Sequence, residues 1–259
     1  MQGSYPLKEI RTYIETLAPP ERAEEWDRVG LMIGSDSDWV TGIVLSLDVT
    51  SEGMDLCTKT GANLMITHHP IFFEPCFSIV TDMPSGKRIA RLIEEKISVY
   101  SAHTNLDRAD YGVNQALCDA IHFDSSLCSP KNDYALYVTA SSGTGLIEFA
   151  QRSANRLGSS GILLNTNKDR EIHNICLCAG SFDERLIPSL IRDHIDTVLT
   201  GEIKHHISVL LDEAGIACIA LGHEATERVV LPYLGKKLSE VFPDIPVNIV
   251  RGNVFTNRI

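Results

Sequence analysis

Two periods alternate along the chain from Thr41 onward. Short runs of β-branched and other apolar residues, as in buried strands, are separated by longer segments whose apolar residues return every three or four positions, as on one face of a helix. Gly42-Ile43-Val44-Leu45-Ser46-Leu47 reads as a strand. Ser51 then caps a helix running to about Thr60, Gly61 stops it, and Asn63-Leu64-Met65-Ile66-Thr67 reads as the next strand. The same grammar predicts a helix over residues 86–95, a strand over 97–101 and a helix over 113–121. Residues 125–133, rich in Ser, Pro and Asn, suit a connection between lobes. Beyond them, strands are predicted over 134–139, 172–178, 197–200, 217–221 and 247–250, with helices between most of them. Repeated βα units of this kind predict an α/β protein of two similar lobes, residues 1–128 and 129–259, on mainly parallel sheets flanked by helices.

Composition narrows the class. Of 259 residues, 44% are hydrophobic and 22% charged, enough apolar material for a substantial core. The formal net charge is −11 and no stretch is rich in Lys and Arg, which argues against nucleic acid as a main partner. Residues 1–17 space their apolar side chains for one helical face, but Lys8, Glu9, Arg11 and Glu15 interrupt them, so they do not form the core of a signal peptide. No apolar run approaches the roughly 20 residues that span a bilayer. The expectation is a soluble, cytoplasmic protein with no membrane partner. The seven cysteines include no CxxC pair and read as reduced, mostly buried thiols. Cys176 and Cys178 share a face if their segment is a strand, yet two thiols without a nearby histidine pair make a poor zinc site.

Candidate chemistry collects where ligands bind in open α/β sheets, just beyond the carboxyl ends of strands. Thr67-His68-His69-Pro70 follows one predicted strand and Ser101-Ala102-His103-Thr104-Asn105-Leu106-Asp107 follows the next. Thr200-Gly201-Glu202 ends a later strand, and Gly222-His223-Glu224-Ala225-Thr226-Glu227 opens a helix after another. Each segment alone fits a polar turn. Three strand ends that all supply imidazole, two with carboxylate as well, point instead to a shared metal centre. His223 and Glu227 stand four residues apart, on one helical face, while Glu224 points elsewhere. An HExxH peptidase helix would need histidine where Glu227 stands.

His68, His69, Asp107, His223 and Glu227 are more ligands than one tetrahedral ion takes from protein, whereas two ions bridged by Glu227 use them all and leave positions for water. The donors suit two divalent ions per chain of Zn, Fe, Mn, Co or Ni. His103, four residues before Asp107, is placed to orient a ligand or shuttle a proton, with direct ligation the lesser alternative. Glu202 and His103 are the candidate catalytic proton-transfer groups.

These segments, together with Trp26-Asp27-Arg28-Val29-Gly30-Leu31 and Thr200-Gly201-Glu202-Ile203-Lys204-His205-His206, resemble the NGG-interacting-factor-three-like family, also described as GTP cyclohydrolase I type 2 homologues. The likeness runs from about Tyr5 to Arg251. It implies a two-lobed α/β fold, a dinuclear metal site in the cleft between the lobes with the same five ligands, and a ring-shaped homohexamer. Near the N-terminus the family often reads WDNVGL, whereas Arg28 stands in the Asn place here.

The functional expectation is a dinuclear metal-dependent hydrolase acting on a small molecule. The resemblance points to hydrolytic opening of the guanine ring of GTP. With no P-loop in the sequence, isolated cations such as Lys204, Arg108 or Arg228 would hold the phosphates. A two-metal phosphoesterase is the enzymatic alternative, and a metal-binding regulator or oligomeric scaffold without turnover the non-enzymatic one.

Overall fold

The computed structural model describes residues 3–122, 128–132, 134–166 and 168–251. In chain order the elements begin with β1 (Tyr5–Pro6), α1 (Leu7–Leu17), β2 (Gly30–Ile33), β3 (Trp39–Val40), β4 (Ile43–Ser46), α2 (Ser51–Thr60) and β5 (Leu64–Thr67). There follow α3 (Pro84–Glu94), β6 (Ser98–Ser101), α4 (Thr104–Asp107), α5 (Val113–Ala120), β7 (Cys128–Asn132), β8 (Ala135–Gly145), α6 (Leu146–Leu157), β9 (Leu163–Leu164) and β10 (Glu171–Ser181). The rest are α7 (Ile187–Arg192), β11 (Thr197–Glu202), α8 (His205–Glu213), β12 (Ala217–Ala220), α9 (His223–Glu227), α10 (Val230–Val241) and β13 (Val247–Ile249). Among the described residues no helix is long and apolar enough to cross a membrane.

The fold is mixed α/β, and the chain divides into two compact units. One comprises the described residues up to Gly112 and again from Leu231; the other is Val113–Val230. The first carries a five-stranded sheet in the order β13-β4-β5-β6-β2, parallel except for β2 at one edge. The last strand, which a division at 128/129 puts with the C-terminal segment, therefore pairs with β4 in this unit. Thr50, not Ser51, caps α2: its hydroxyl oxygen accepts from the Gly53 amide at 3.1 Å. Gly61, in the left-handed region at φ 74°, ends the helix. Val44, Met65 and Val99 of the central strands pack with Met54, Cys57 and Leu92 of α2 and α3.

The sheet of the second unit runs β7-β8-β10-β11-β12-β9. Only β10/β11 and β11/β12 are parallel; β7/β8, β8/β10 and β12/β9 are antiparallel, so this sheet is mixed rather than mainly parallel. The cause is local. β7 and β8 form a hairpin, too short a connection for the crossover that a parallel pair requires. Residues 128–132, within the expected connection, are thus a strand, while the other positions of that connection, 125–127 and 133, lie outside the described residues. Strand alternation sends Ile175 and Leu177 into one core with Phe149 of α6, and Cys176 and Cys178 into another with Ile207 and Leu211 of α8. The two thiols do share a face, but they sit in an apolar layer. Burial pushes Cys176 well above its ordinary value and Cys218 up to about 12, so both stay protonated and inert. Cys57, Cys118, Cys176, Cys178 and Cys218 are buried thiols, and Cys76 is an exposed one.

Candidate metal centre

In the first unit the parallel strands β5 and β6 end side by side and deliver three imidazoles to one place. One ring nitrogen from each of His68, His69 and His103 lies within 4.8 Å of one from each of the others. The remaining edge of each ring is held. His68 Nδ1–H donates to the Ala102 carbonyl at 3.0 Å, His69 Nδ1–H to Asp48 at 3.0 Å, and His103 Nδ1–H to Asp27 at 3.0 Å. A proton fixed on Nδ1 leaves the Nε2 lone pair as the coordinating atom and sets the ring plane, the arrangement that metal-binding histidines use. Asp107, the last residue of α4, places Oδ1 3.7 Å from His68 Nε2.

Asp27 anchors this side. Its side chain is fully buried, and besides His103 it accepts from the Thr104 amide and hydroxyl at 3.1 and 2.5 Å. Burial alone would raise its pKa. The hydrogen bonds from His103 and Thr104 outweigh that and hold the carboxyl well below the usual carboxylate range. Asp48 is half exposed, so Asp48→Ala should change stability by no more than about 0.5 kcal/mol. Metal affinity is expected to fall about 10–100-fold, because His69 loses the partner that orients it. Metal titration followed by calorimetry checks this; unchanged affinity would remove Asp48 from the centre.

In the second unit β11 and β12, again parallel neighbours, end at Glu202 and just before His223. His223 sits between two carboxylates: its Nδ1 is 3.2 Å from Glu202 Oε1 and its Nε2 is 3.1 Å from Glu227 Oε1. A neutral imidazole has one N–H and cannot donate to both. A metal ion held between His223 Nε2 and Glu227 Oε1 would satisfy the second contact. Atoms that share one ion through bonds of about 2.0–2.2 Å stand roughly 3 Å apart, which is the spacing of this pair. Glu227 is buried and Glu202 exposed.

The profile of the family Duf34/NIF3 (NGG1p interacting factor 3) matches residues 5–257. The chain belongs to this family. Among family relatives, a "GTP cyclohydrolase 1 type 2 homolog" of Clostridium acetobutylicum is 31% identical over 252 residues, covering 95% of this chain and 94% of that one. Among solved structures, Staphylococcus aureus hypothetical protein SA1388 superimposes with TM-score 0.88 at 23% identity, covering 98% of this chain and 99% of that one. A Bacillus cereus protein related to NIF3 gives 0.89 at 19%, with the same coverage. At these identities the two structures establish the fold alone.

The spacing of histidines and acids does not show what else this Duf34/NIF3 chain uses to build its ligand sets. Asp27 and Asp48 are carboxylates that hold imidazoles. Asp48 lies two residues beyond the end of β4, so the strand-end rule that picked out His68 would have reached it. Within the second unit, two glycines make room. Gly180, at φ 66° near the end of β10, leaves the space that Glu227 Oε1 occupies. A Cβ on Gly201 would stand 2.5 Å from the Gly180 carbonyl oxygen and 2.8 Å from His223 Cα. Thr226, fully buried, ties the pieces together: its Oγ1 accepts from the Gly180 amide at 3.0 Å and donates to the His223 carbonyl at 2.9 Å. Arg228, expected as a phosphate-binding cation, is instead committed to structure. Its Nη2 donates to the Leu157 carbonyl at 2.7 Å and its Nη1 lies 3.8 Å from Glu224. Glu224 is thereby turned into a helix-surface pair, not a general base.

Proposed function

We propose that the chain is a metal-dependent hydrolase with His68, His69, Asp107, His223 and Glu227 as the ligands of a dinuclear centre. The supporting observation is the cluster of three imidazoles with each Nδ1 held by an oxygen acceptor, a set oriented before any ion arrives. The Nε2-to-carboxylate spacings of 3.7 and 3.1 Å add to it. Divalent ions of Zn, Fe, Mn, Co or Ni would supply Lewis acidity and a water nucleophile at neutral pH. Around them the chain's own groups divide the work. Asp48, Asp27 and the Ala102 carbonyl keep the imidazoles in one tautomer. Glu202, beside His223, and His103 are positioned to take and return protons.

For a substrate, the relatives named as GTP cyclohydrolase homologues support the guanine ring of GTP, opened by hydrolysis. The mostly buried thiols fit a cytoplasmic setting. Exposed Phe77, Ile79, Val80 and Met83, on one stretch of the first unit, support self-association, with the homohexamer of the family resemblance as the expected state. Light scattering that returns a monomer mass would end that part of the reading.

The decisive experiment measures metal by plasma mass spectrometry beside product formation from GTP and a phosphoester panel. About two ions per chain are expected, lost or halved in folded His68→Ala and Glu227→Ala variants. Glu202→Gln should retain metal and lose turnover; loss of metal instead would make Glu202 a ligand support. Metal that binds and exchanges with no product from any substrate would favour a regulator or scaffold. A chain that takes up none of the five metals overturns the centre.

A further inference from the structure

The segment that holds His103 also shapes the space beside it. Asp27 turns inward to its buried hydrogen bonds, so its neighbours Trp26 and Arg28 face outward, Trp26 with 57% of its surface exposed. The loop after His68 and His69 brings Phe73 to the same place, also half exposed. Both rings stand edge-to-face against the His103 imidazole, Trp26 with centroids 6.0 Å apart and Phe73 with 5.7 Å. Between them lies an open pocket of about 590 Å³ whose lining includes Trp26, Arg28, Met32, Phe72, Phe73 and Glu74. That volume is in the range of small-molecule sites.

We propose that this pocket is where the chain recognises its substrate: Trp26 and Phe73 hold a planar heteroaromatic ring beside His103, and Arg28 takes an anionic group attached to it. The proposal rests on the metal-dependent reading above and adds the residues that choose the substrate. Trp26, next to the buried carboxylate that pins its segment, and Phe73, set against the same imidazole, offer apolar faces to a flat ring, which gains stacking with little loss of freedom. Arg28 Nη1 donates to the Glu25 and Asp27 carbonyls at 3.2 and 2.8 Å, which fixes the guanidinium at the rim. Its planar fork matches carboxylate or phosphate. Glu74 adds an acceptor for ring N–H groups. A hydrocarbon ring answers neither charge, whereas a purine or pteridine with N–H edges and an anionic tail answers both.

The chain has two tryptophans, Trp26 and Trp39, so Trp39→Phe leaves Trp26 as the single emitter. Guanosine, GTP and ribose 5-phosphate are titrated into this protein as purified, with its metal content and mass recorded. Saturable quenching by guanosine and GTP, and none by ribose 5-phosphate, is expected. Loss of one stacking partner should weaken guanosine binding about tenfold, read by calorimetry in Trp26→Ala and Phe73→Ala, with metal content and mass unchanged. Arg28→Gln should weaken GTP more than guanosine. Undiminished guanosine affinity in both alanine variants, or no guanosine binding to metal-loaded protein, overturns the pocket. A variant whose mass alone changes makes these aromatics a contact between copies and also overturns it. Metal-free protein would sink the proposed centre, while quenching by guanosine would still decide the pocket.

Discussion

Asp27→Ala is expected to lower the stability of the folded chain by about 3–5 kcal/mol, the largest loss from any single site side chain. The substitution leaves the Thr104 amide, the Thr104 hydroxyl and the His103 Nδ1–H facing a space with no acceptor. Asp27→Asn keeps the shape and one acceptor oxygen, so it should fold and hold metal while a misoriented His103 lowers turnover. The pH dependence has a definite sign. Because the folded chain holds this carboxyl below its ordinary value, it contributes stability above the ordinary aspartate range, and the contribution is lost as pH falls toward the lowered value. Urea midpoints of wild type and Asp27→Asn should therefore draw together across the window that runs from about pH 5 down to the lowered value. Parallel curves across that window would show that the charge on Asp27 carries no stability.

Gly180→Ala is expected to remove the buried carboxylate from the second ligand set. The new methyl would overlap Glu227 Oε1, and would stand 3.1 Å from Glu227 Cδ and 3.4 Å from His223 Nε2. The backbone at φ 66° adds strain of about 1–2 kcal/mol for any residue with a Cβ. Metal content should drop by about half or more, with stability reduced by roughly 1–3 kcal/mol in a thermal or urea melt. The predicted signature is a folded protein poor in metal. Full occupancy in a folded Gly180→Ala chain would mean that Glu227 ligates from another rotamer, and that this glycine serves the turn alone.

The parts of the fold that were legible in the sequence are those whose signal is local. The β4-α2-β5 unit carries strand period, helix period and a stopping glycine within 25 residues of chain, and it forms nearly where it reads. The two-residue strands Tyr5–Pro6, Trp39–Val40 and Leu163–Leu164 are too short to show any period, and none was visible beforehand. Strand direction in the second unit was missed because the apolar run of β8 looks the same for parallel and antiparallel partners, and Cys128–Asn132 reads as a connection. The return of β13 to β4 depends on a pairing between distant parts of the chain, which no window contains. At the site, imidazoles and acids after strands announce themselves by residue type. Asp27, three residues before β2, and Gly180, which matters for the atom it lacks, do not.

That late return of β13 sets a timetable for the chain's birth. β4 emerges from the ribosome early, yet the neighbour that covers its outer edge is made roughly 200 residues later, about 10–40 s at ordinary rates of synthesis. Throughout that interval the edge offers unsatisfied amides and carbonyls to any strand that passes, another nascent copy included. A ribosome stalled before Leu231 would hold a first unit with a sheet one strand short and without α10, whose Gly235 lies against Leu45 and Ile249. The cell's problem with this protein is therefore one of waiting, and chaperone dependence should track the speed of translation between β4 and β13.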